Sequence, residues 1–169
     1  MNPQSDQIIQ KALEALSIKY QWFEHESIHR CEDSLAWHQE NKLPGVRAKN
    51  LFLRNKNGKR HFMLILPQDK SFDKDAFRSI SGQKCGFASD DRMMQFLGVR
   101  PGSVSPFCLV SDTDQAVEIY IDQDLMTEPY LYFHPQRNTA SIQLIPADLE
   151  KWLNHCGNQW QTIDWPDKV

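Results

Sequence analysis

The sequence contains no long apolar run. Its longest stretch of this kind, Phe62 to Leu66, is far shorter than the roughly 20 residues that a membrane-spanning helix needs. The N-terminus also lacks the charged and then apolar segments of a secretory signal peptide. These absences predict a cytoplasmic protein with no membrane partner.

Cysteine is scarce and scattered. The four cysteines, Cys31, Cys85, Cys108 and Cys156, form no C-x-x-C pair, and without a secretory signal we expect them to be reduced. Cys31 and Cys108 have apolar or ordinary neighbours, and a buried cysteine is usually inert packing. Neither is therefore expected to act as a nucleophile.

Metal-binding spacing is missing too. His25, His29, Cys31 and His38 offer nitrogen and sulfur, which zinc accepts, but they do not follow the spacing of a zinc motif. The sequence therefore predicts no metal ion.

An excess of positive charge is also absent. The chain carries 19 Lys and Arg against 22 Asp and Glu, a formal net charge of −3. A protein that holds a long nucleic-acid backbone usually has a clear basic excess. Any contact with nucleic acid is therefore expected to be small and local.

The remaining composition is that of an ordinary globular protein. The 169 residues are 40% hydrophobic and 24% charged, and a chain of this size can bury most of its unfolded surface. No internal repeat or low-complexity tract divides it. Residues 1–169 are therefore predicted to form a single domain.

Hydrophobic periodicity predicts a mixture of helices and strands. Helical spacing and capping signals predict helices at 4–17, 32–41, 72–80, 89–98 and 146–156. Strands are predicted at 20–23, on both sides of an Asn57-Gly58 hairpin turn, and at 107–110, 116–122, 130–134 and 139–145. Because hairpin-like links outnumber β-α-β connections, we predict an α+β fold with a mixed, largely antiparallel sheet packed with helices.

The segment PGSVSPF, residues 101–107, places two serines between a glycine and a proline. Ser103 or Ser105 could be a nucleophile only beside an activating base. The segment lacks the second glycine of a G-x-S-x-G elbow, and its turn runs from a helix toward a strand, the reverse of the elbow's order. Gly102 permits unusual backbone angles and Pro106 restricts the residue before it. A rigid backbone loop is therefore favoured over a serine hydrolase.

Two other segments carry candidate site residues. Lys49 and Asn50 open the strand RAKNLFLR, where a lysine can point into a cleft, although a solvated strand-end lysine has the same pattern. His134, Asn138 and Thr139 lie in FHPQRNTAS, a pattern that also fits a plain turn.

Taken together and in order, RAKNLFLR, FASDDRMMQFLGVRPGSVSPF and FHPQRNTAS resemble the freestanding prolyl-tRNA editing domains, the bacterial ProX/YbaK-like family. The resemblance runs from about Tyr20 to Leu153. Its most specific parts are the Gly-x-x-x-Pro loop from Gly102 to Pro106 and the Ala-Lys-Asn that includes Lys49. KNLFLRNKNGKRHFMLILP and HPQRNTAS look more like the alanyl-tRNA(Pro) deacylase branch than like the YbaK branch, which clears cysteinyl-tRNA(Pro).

The resemblance implies a YbaK-like editing fold without a cofactor. It further implies hydrolysis, in trans, of the ester in mischarged aminoacyl-tRNA(Pro), first of all alanyl-tRNA(Pro). Such editing is needed because a missing methylene changes binding by only about 1–3 kcal/mol, so a prolyl pocket rejects alanine poorly. The implied partners are the CCA end of tRNA(Pro) and, in addition, prolyl-tRNA synthetase.

Two alternatives stay open. One is the same hydrolysis with cysteine, serine or another small amino acid, because the family often has His-Pro-Pro, a hydrophobic pair and Thr where this chain has His25 to Arg30. The other is a non-catalytic tRNA-end binding or regulatory module.

The resemblance also implies roles for individual residues. Lys49 is assigned to the phosphate of the terminal adenosine, where its ammonium acts as a point charge. The loop is expected to present backbone N–H groups to the oxyanion, and the neighbouring ribose hydroxyl of the tRNA to help activate water. The loop residues in this role are Gly102, Ser103, Val104, Ser105 and Pro106. The predicted substrate-binding residues are Ile28, Asn50, His134 and Asn138.

Overall fold

A mixed β-sheet of eight strands organises the chain, whose computed structural model describes residues 3–28 and 31–166. The helices are α1 (Pro3–Ala15), α2 (Cys31–Glu40), α3 (Lys74–Ser81), α4 (Asp90–Leu97) and α5 (Pro146–Cys156). The strands are β1 (Gln21–Glu24), β2 (Val46–Asn55), β3 (His61–Pro67), β4 (Cys85–Phe87), β5 (Val117–Asp122), β6 (Leu131–Phe133), β7 (Ala140–Leu144) and β8 (Trp160–Ile163). Two 3₁₀ helices span Pro106–Ser111 and Gln123–Thr127. None of the described helices is long and apolar enough to cross a membrane.

The sheet has the order β1-β7-β6-β2-β3-β5-β8, and β4 also pairs with β2. Four pairings are antiparallel, namely β1-β7, β2-β3, β2-β4 and β6-β7, and three are parallel. The predicted α+β class with a mixed, largely antiparallel sheet is thus confirmed.

Local signals set several element boundaries. The Oγ of Ser89 accepts a hydrogen bond from the N–H of Arg92 at the start of α4, and Gly98 ends this helix with φ 67°. Gly58, with φ 68°, closes the predicted hairpin turn between β2 and β3. Both glycines adopt the left-handed conformation, which costs other residues free energy.

The edge of β2 opposite β3 is only partly covered. β6 pairs with this edge at Val46 and Arg47, and β4 pairs with it at Leu53–Asn55. The N–H of Ala88 extends the second contact to the carbonyl of Phe52. From Ala48 to Leu51, no strand of the described chain lies along this edge. We call this interval the β2 gap.

Two hydrophobic cores pack on opposite faces of β2. Ala48 and Phe52 belong to the larger core, which includes Trp152, whereas Leu51 and Leu53 belong to a second core. The second core contains Leu53, Phe62, Leu64, Leu66, Phe77, Tyr120, Ile163 and Trp165. Because side chains alternate along a strand, Asn50 points to the face of the larger core and Lys49 to that of the second core.

The structure differs from the sequence-based prediction in three places, one wrong element and two that were missed. Residues 107–110 form part of the 3₁₀ helix at Pro106–Ser111 rather than a strand, because Pro106 starts this helix and Ser105 caps it by accepting the N–H of Phe107. Strands β4 and β8 were not predicted. Both are short, with three and four residues, and neither has a continuous apolar pattern.

Candidate functional site

A cleft of about 300 Å³ opens at the β2 gap. It is bordered by residues of β2, by the loop that follows α4 and by the end of β6. Six of the predicted site residues line it: Ile28, Lys49, Asn50, Gly102, Val104 and His134. The chain therefore brings together residues that lie up to about a hundred positions apart in sequence.

The other predicted site residues do not line the cleft. Within the loop, Ser105 and Pro106 are buried, and Ser103 is half-buried. Asn138 forms two hydrogen bonds with the backbone of Ile28. Its side-chain Nδ2 donates to the carbonyl of Ile28 at 3.0 Å, and its backbone carbonyl accepts the N–H of Ile28 at 2.9 Å. Asn138 thus fixes the position of a residue that does line the cleft.

The Gly-x-x-x-Pro loop is held in one shape from both ends. Gly102 has φ +88°, in the region that favours glycine, and Ser105 is extended with φ −160° and ψ 168°, as expected before proline. The hydroxyl of Ser105 donates to the carbonyl of His134 at 2.5 Å, and the carbonyl of Pro106 accepts Nε1–H of Trp152 at 3.0 Å. The loop is therefore tied to β6 and to α5.

Two buried residues of this loop, Val104 and Ser105, have amide groups that remain for a ligand. Within residues 3–28 and 31–166, the N–H groups of Gly102, Val104 and Ser105 donate to no other backbone group, and of these three residues Val104 and Ser105 are buried. Val104 lines the cleft and Ser105 follows it directly. Buried backbone N–H groups are nearly always paired, so two such adjacent groups mark a place where a ligand oxygen can accept.

Lys49 is positioned by the turn after β3. Its Nζ donates to the backbone carbonyl of Lys70. The Lys70 side chain is buried in turn: its Nζ lies 2.6 Å from Asp124 Oδ2 and donates to the carbonyl of Trp165 at 3.1 Å. The carboxylate oxygen Oδ2 of Asp122 lies 2.9 Å from the same Nζ. The two groups form an ion pair, but their geometry is not that of a hydrogen bond. A buried charge cluster thus supports the carbonyl that holds Lys49.

Asn50 presents an unused acceptor. Its Oδ1 is buried and has no hydrogen-bond partner among the described residues. Asn50 lines the cleft. Because a buried polar atom without a partner costs free energy, this oxygen indicates the place of a ligand N–H or O–H.

His134 contributes a neutral imidazole. Its Nδ1 lies 2.7 Å from the carbonyl of Ala140, which can only accept, so Nδ1 carries the proton and Nε2 is an acceptor. Burial lowers the pKa of His134 to about 4, and the nearby charge of Arg47 adds to this effect. The ring is therefore uncharged at neutral pH.

Arg47 lines the cleft but was not among the residues expected from the sequence. It is buried, its Nη1 donates to Ser141 Oγ at 3.1 Å, and its guanidinium lies 5.3 Å from the centroid of the Trp37 ring. His25 joins this group through a 2.9 Å contact between its Nε2 and Ser141 Oγ. The sequence did contain a signal for Arg47. Side chains two residues apart in a strand lie on the same face, so Arg47 shares the face of Lys49.

The cysteine and metal hypotheses find no geometric support. Burial raises the pKa of Cys108 to about 12, and its Sγ donates to the carbonyl of Ser103, so this thiol is not activated. Of the proposed zinc ligands, His29 and the side chain of Cys31 lie outside what the structure describes. Across the described ranges, no group of three or more His, Cys, Asp or Glu side chains is placed to hold a metal ion.

Comparisons with known proteins show which family and which relatives the chain resembles. A family model described as an aminoacyl-tRNA editing domain matches residues 25–152. The prolyl-tRNA editing protein ProX of Acetoanaerobium sticklandii is 31% identical over 165 residues, which cover 97% of this chain and 99% of that protein. The prolyl-tRNA synthetase associated domain-containing protein 1 of Mus musculus is 28% identical over 155 residues, 89% of this chain and 90% of that protein.

A solved structure gives the same architecture. A crystal structure described as that of a candidate trans-editing enzyme for prolyl-tRNA synthetase superposes with a TM-score of 0.75 and 18% identity, and the match covers 99% of both chains. At 18% identity, the match establishes the fold alone. The chemistry has to be inferred from the residues that line the cleft.

Proposed function

The chain belongs to the aminoacyl-tRNA editing domain family, and we propose that it hydrolyses, in trans, the ester of mischarged aminoacyl-tRNA(Pro), first of all alanyl-tRNA(Pro). The observation that carries this proposal is the cleft at the β2 gap. There, the N–H groups of Val104 and Ser105 in a rigid loop, which have no backbone partner, lie beside an unpaired side-chain oxygen and a lysine ammonium. The names of the bacterial relative and of the solved structure favour prolyl-tRNA as the substrate class.

The loop supplies the electrostatic part of the reaction. Water adds to the ester carbonyl carbon, and negative charge develops on the carbonyl oxygen. The N–H groups of Val104 and Ser105 donate to this oxyanion, and losing one such donor typically costs on the order of 10²–10³ in rate. The C–O bond to the ribose then breaks, the ribose oxygen takes a proton, and the free amino acid and tRNA leave.

No serine nucleophile takes part in this scheme. The hydroxyl of Ser105 is buried and donates to the carbonyl of His134, so it is directed away from any ester in the cleft. A nucleophilic serine needs an activating base instead of a carbonyl partner. The ribose hydroxyl next to the ester helps to activate the attacking water.

The side chains around the cleft orient the substrate. The ammonium of Lys49 attracts the phosphate of the terminal nucleotide, and Asn50 Oδ1 accepts from the α-ammonium of the amino acid. The neutral Nε2 of His134 accepts a further hydrogen bond from the substrate or from the attacking water. Only this end of the tRNA needs to be held, which agrees with a formal net charge of −3.

Selectivity for small amino acids comes from the wall that includes Ile28. This side chain is buried, and Asn138 holds its backbone at both polar groups. A branched side chain fixed in this way leaves little room, so alanine enters and proline does not. Cysteine and serine are the nearest competitors because they differ from alanine by one atom.

The test uses tRNA(Pro) charged in turn with alanine, cysteine, serine and proline. Ester loss is followed with the wild type, with Lys49→Ala and with Lys56→Ala, a matched control in the exposed hairpin turn. We expect hydrolysis of alanyl-tRNA(Pro) that Lys49→Ala abolishes and Lys56→Ala leaves unchanged. If the wild type accelerates none of the four reactions, the proposal is wrong.

A further inference from the structure

Phe87 is a large apolar side chain that the fold does not bury. Its exposed fraction of 59% exceeds that of the other exposed large apolar residues in the described chain. It nevertheless lines the cleft at the β2 gap. A single exposed apolar side chain is ordinary, but an aromatic ring that lines a cleft can offer its face to a ligand.

The position of the Phe87 ring is fixed from behind. Phe87 ends β4, where it pairs with Leu53 of β2. Its ring meets that of Phe72 edge to face, with 5.3 Å between centroids and 62° between planes. Phe72 in turn packs against the second core. The Phe87 ring thus packs against Phe72 and yet stays mostly exposed.

Phe87 and Lys49 lie on the same face of the sheet. Residues directly opposite in an antiparallel pair share a face, so Phe87 lies on the face of Leu53. Lys49 is four residues before Leu53, an even number, and shares that face too. The separation along β2 is about 13 Å, which a lysine side chain and a nucleotide together can span. A cationic group and an open aromatic ring therefore border one side of the cleft.

We propose that Phe87 is the stacking platform for the unpaired 3′-terminal base of the tRNA, whose phosphate lies at Lys49. The inference rests on the proposed function and adds the residue that binds the base. Every base has a π-face, so stacking on an aromatic side chain contributes affinity without depending on charge. A protein with a formal net charge of −3 needs such a contribution, because it has few cations to bind phosphates.

Steady-state hydrolysis of the mischarged tRNA tests the platform through the split between KM and kcat. We compare Phe87→Leu and Phe87→Tyr with the wild type, and use Ile8→Ala as a control at another exposed apolar residue, on α1. Phe87→Leu keeps an apolar side chain and removes the ring, so KM should rise about 5- to 150-fold while kcat is retained. Phe87→Tyr and Ile8→Ala should keep the wild-type KM. A wild-type KM in Phe87→Leu overturns the proposal.

A binding experiment separates this inference from the proposed function. An uncharged acceptor-stem RNA ending in CCA is titrated into the wild type and Phe87→Leu, with fluorescence anisotropy as the readout. Weaker binding by Phe87→Leu supports the platform even if the wild type hydrolyses no ester, an outcome that would refute only the enzymatic proposal. Equal binding of the RNA by both proteins overturns the platform and leaves the hydrolysis to be judged on its own.

Discussion

The hydroxyl of Ser105 donates a hydrogen bond to the carbonyl of His134 across 2.5 Å and accepts one from the N–H of Phe107 at 3.2 Å. The bond joins the Gly-x-x-x-Pro loop to the residue that follows β6, and both segments border the cleft. Ser105 is therefore a positioning residue whose side chain aligns two parts of the site. Its two hydrogen bonds explain why a serine is suited to a fully buried position.

Replacing this serine should reduce stability more than it changes the mechanism. Ser105→Ala leaves the carbonyl of His134 and the N–H of Phe107 without partners, so the free energy of unfolding should fall by about 1–3 kcal/mol. Hydrolysis should weaken but persist, whereas Ser103→Ala, at a half-buried position, should stay near the wild type in both respects. Urea unfolding and single-turnover ester hydrolysis measure the two effects. Complete loss of hydrolysis in a Ser105→Ala protein of normal stability would instead identify a nucleophile.

Gly102 and Gly82 form a matched pair for the role of the loop. Both have positive φ, +88° and +69°, and a Cβ at either would meet nothing within 4 Å. Alanine should therefore cost about 1–2 kcal/mol of conformational free energy at each position. Gly82 ends α3 and does not line the cleft, so only Gly102→Ala should also slow hydrolysis. Equal hydrolysis rates in the two variants would show that the shape of the loop at Gly102 does not matter for the reaction.

The buried cluster behind Lys49 should depend on Asp122 much more than on Asp124. The Asp122 side chain is fully buried beside Lys70, whereas that of Asp124 is 58% exposed. Asp122→Asn removes the buried partner charge and should lower the free energy of unfolding by about 3 kcal/mol or more. Asp124→Asn breaks a mainly exposed pair and should cost less than about 1 kcal/mol. Equal losses in thermal denaturation would contradict the assignment of Asp122 as the main partner of Lys70.

The neutral state of His134 predicts how stability depends on pH. Its pKa falls from 6.5 to about 4 on folding because the ring is buried. Protonation thus favours the unfolded chain, so the stabilisation is complete above pH 6.5 and is lost as the pH falls toward 4. Over this pH range, His134 should lower the free energy of unfolding by about 3 kcal/mol. Between these pH values, the wild type should lose more stability than His134→Gln.

Urea unfolding at a series of pH values measures this difference. Burial also lowers the pKa of His25, His38 and His61, but these groups are present in both proteins and their effect is common to both. Parallel pH dependences in the two proteins would show that His134 is protonated to the same extent in the folded and unfolded states.

Most of the fold follows from periodicity and caps, and its exceptions have local causes. The apolar residues Phe107 to Val110 suggest a strand, but Pro106 and the Ser105 cap direct them into a 3₁₀ helix. β8 was missed because two of its four residues, Gln161 and Thr162, are polar and exposed, and its pairing with β5 joins distant parts of the chain. Pairing across such distances leaves no trace in a short window of sequence.

The candidate site was inferred where its residues lie in distinctive segments. Lys49, Asn50, Gly102 and His134 were proposed in this way, and the structure brings them to one cleft. Arg47 was missed although it shares a strand face with Lys49, and Phe87 was missed because a single phenylalanine in a short strand has no local signature. Only the pairing of β2 with β6 and with β4 shows that both residues border the same opening.

The contact between Lys70 and Trp165 also determines when the site can form during folding. The two residues are 95 positions apart, so their hydrogen bond closes a very long loop. Closing such a loop costs conformational entropy, and contacts of this kind form late in folding. The hairpin that carries Lys49 can form early, since its strands are adjacent in sequence. The side chain of Lys70 reaches its buried partners only after this closure, so we expect the support behind Lys49 to be completed late in folding.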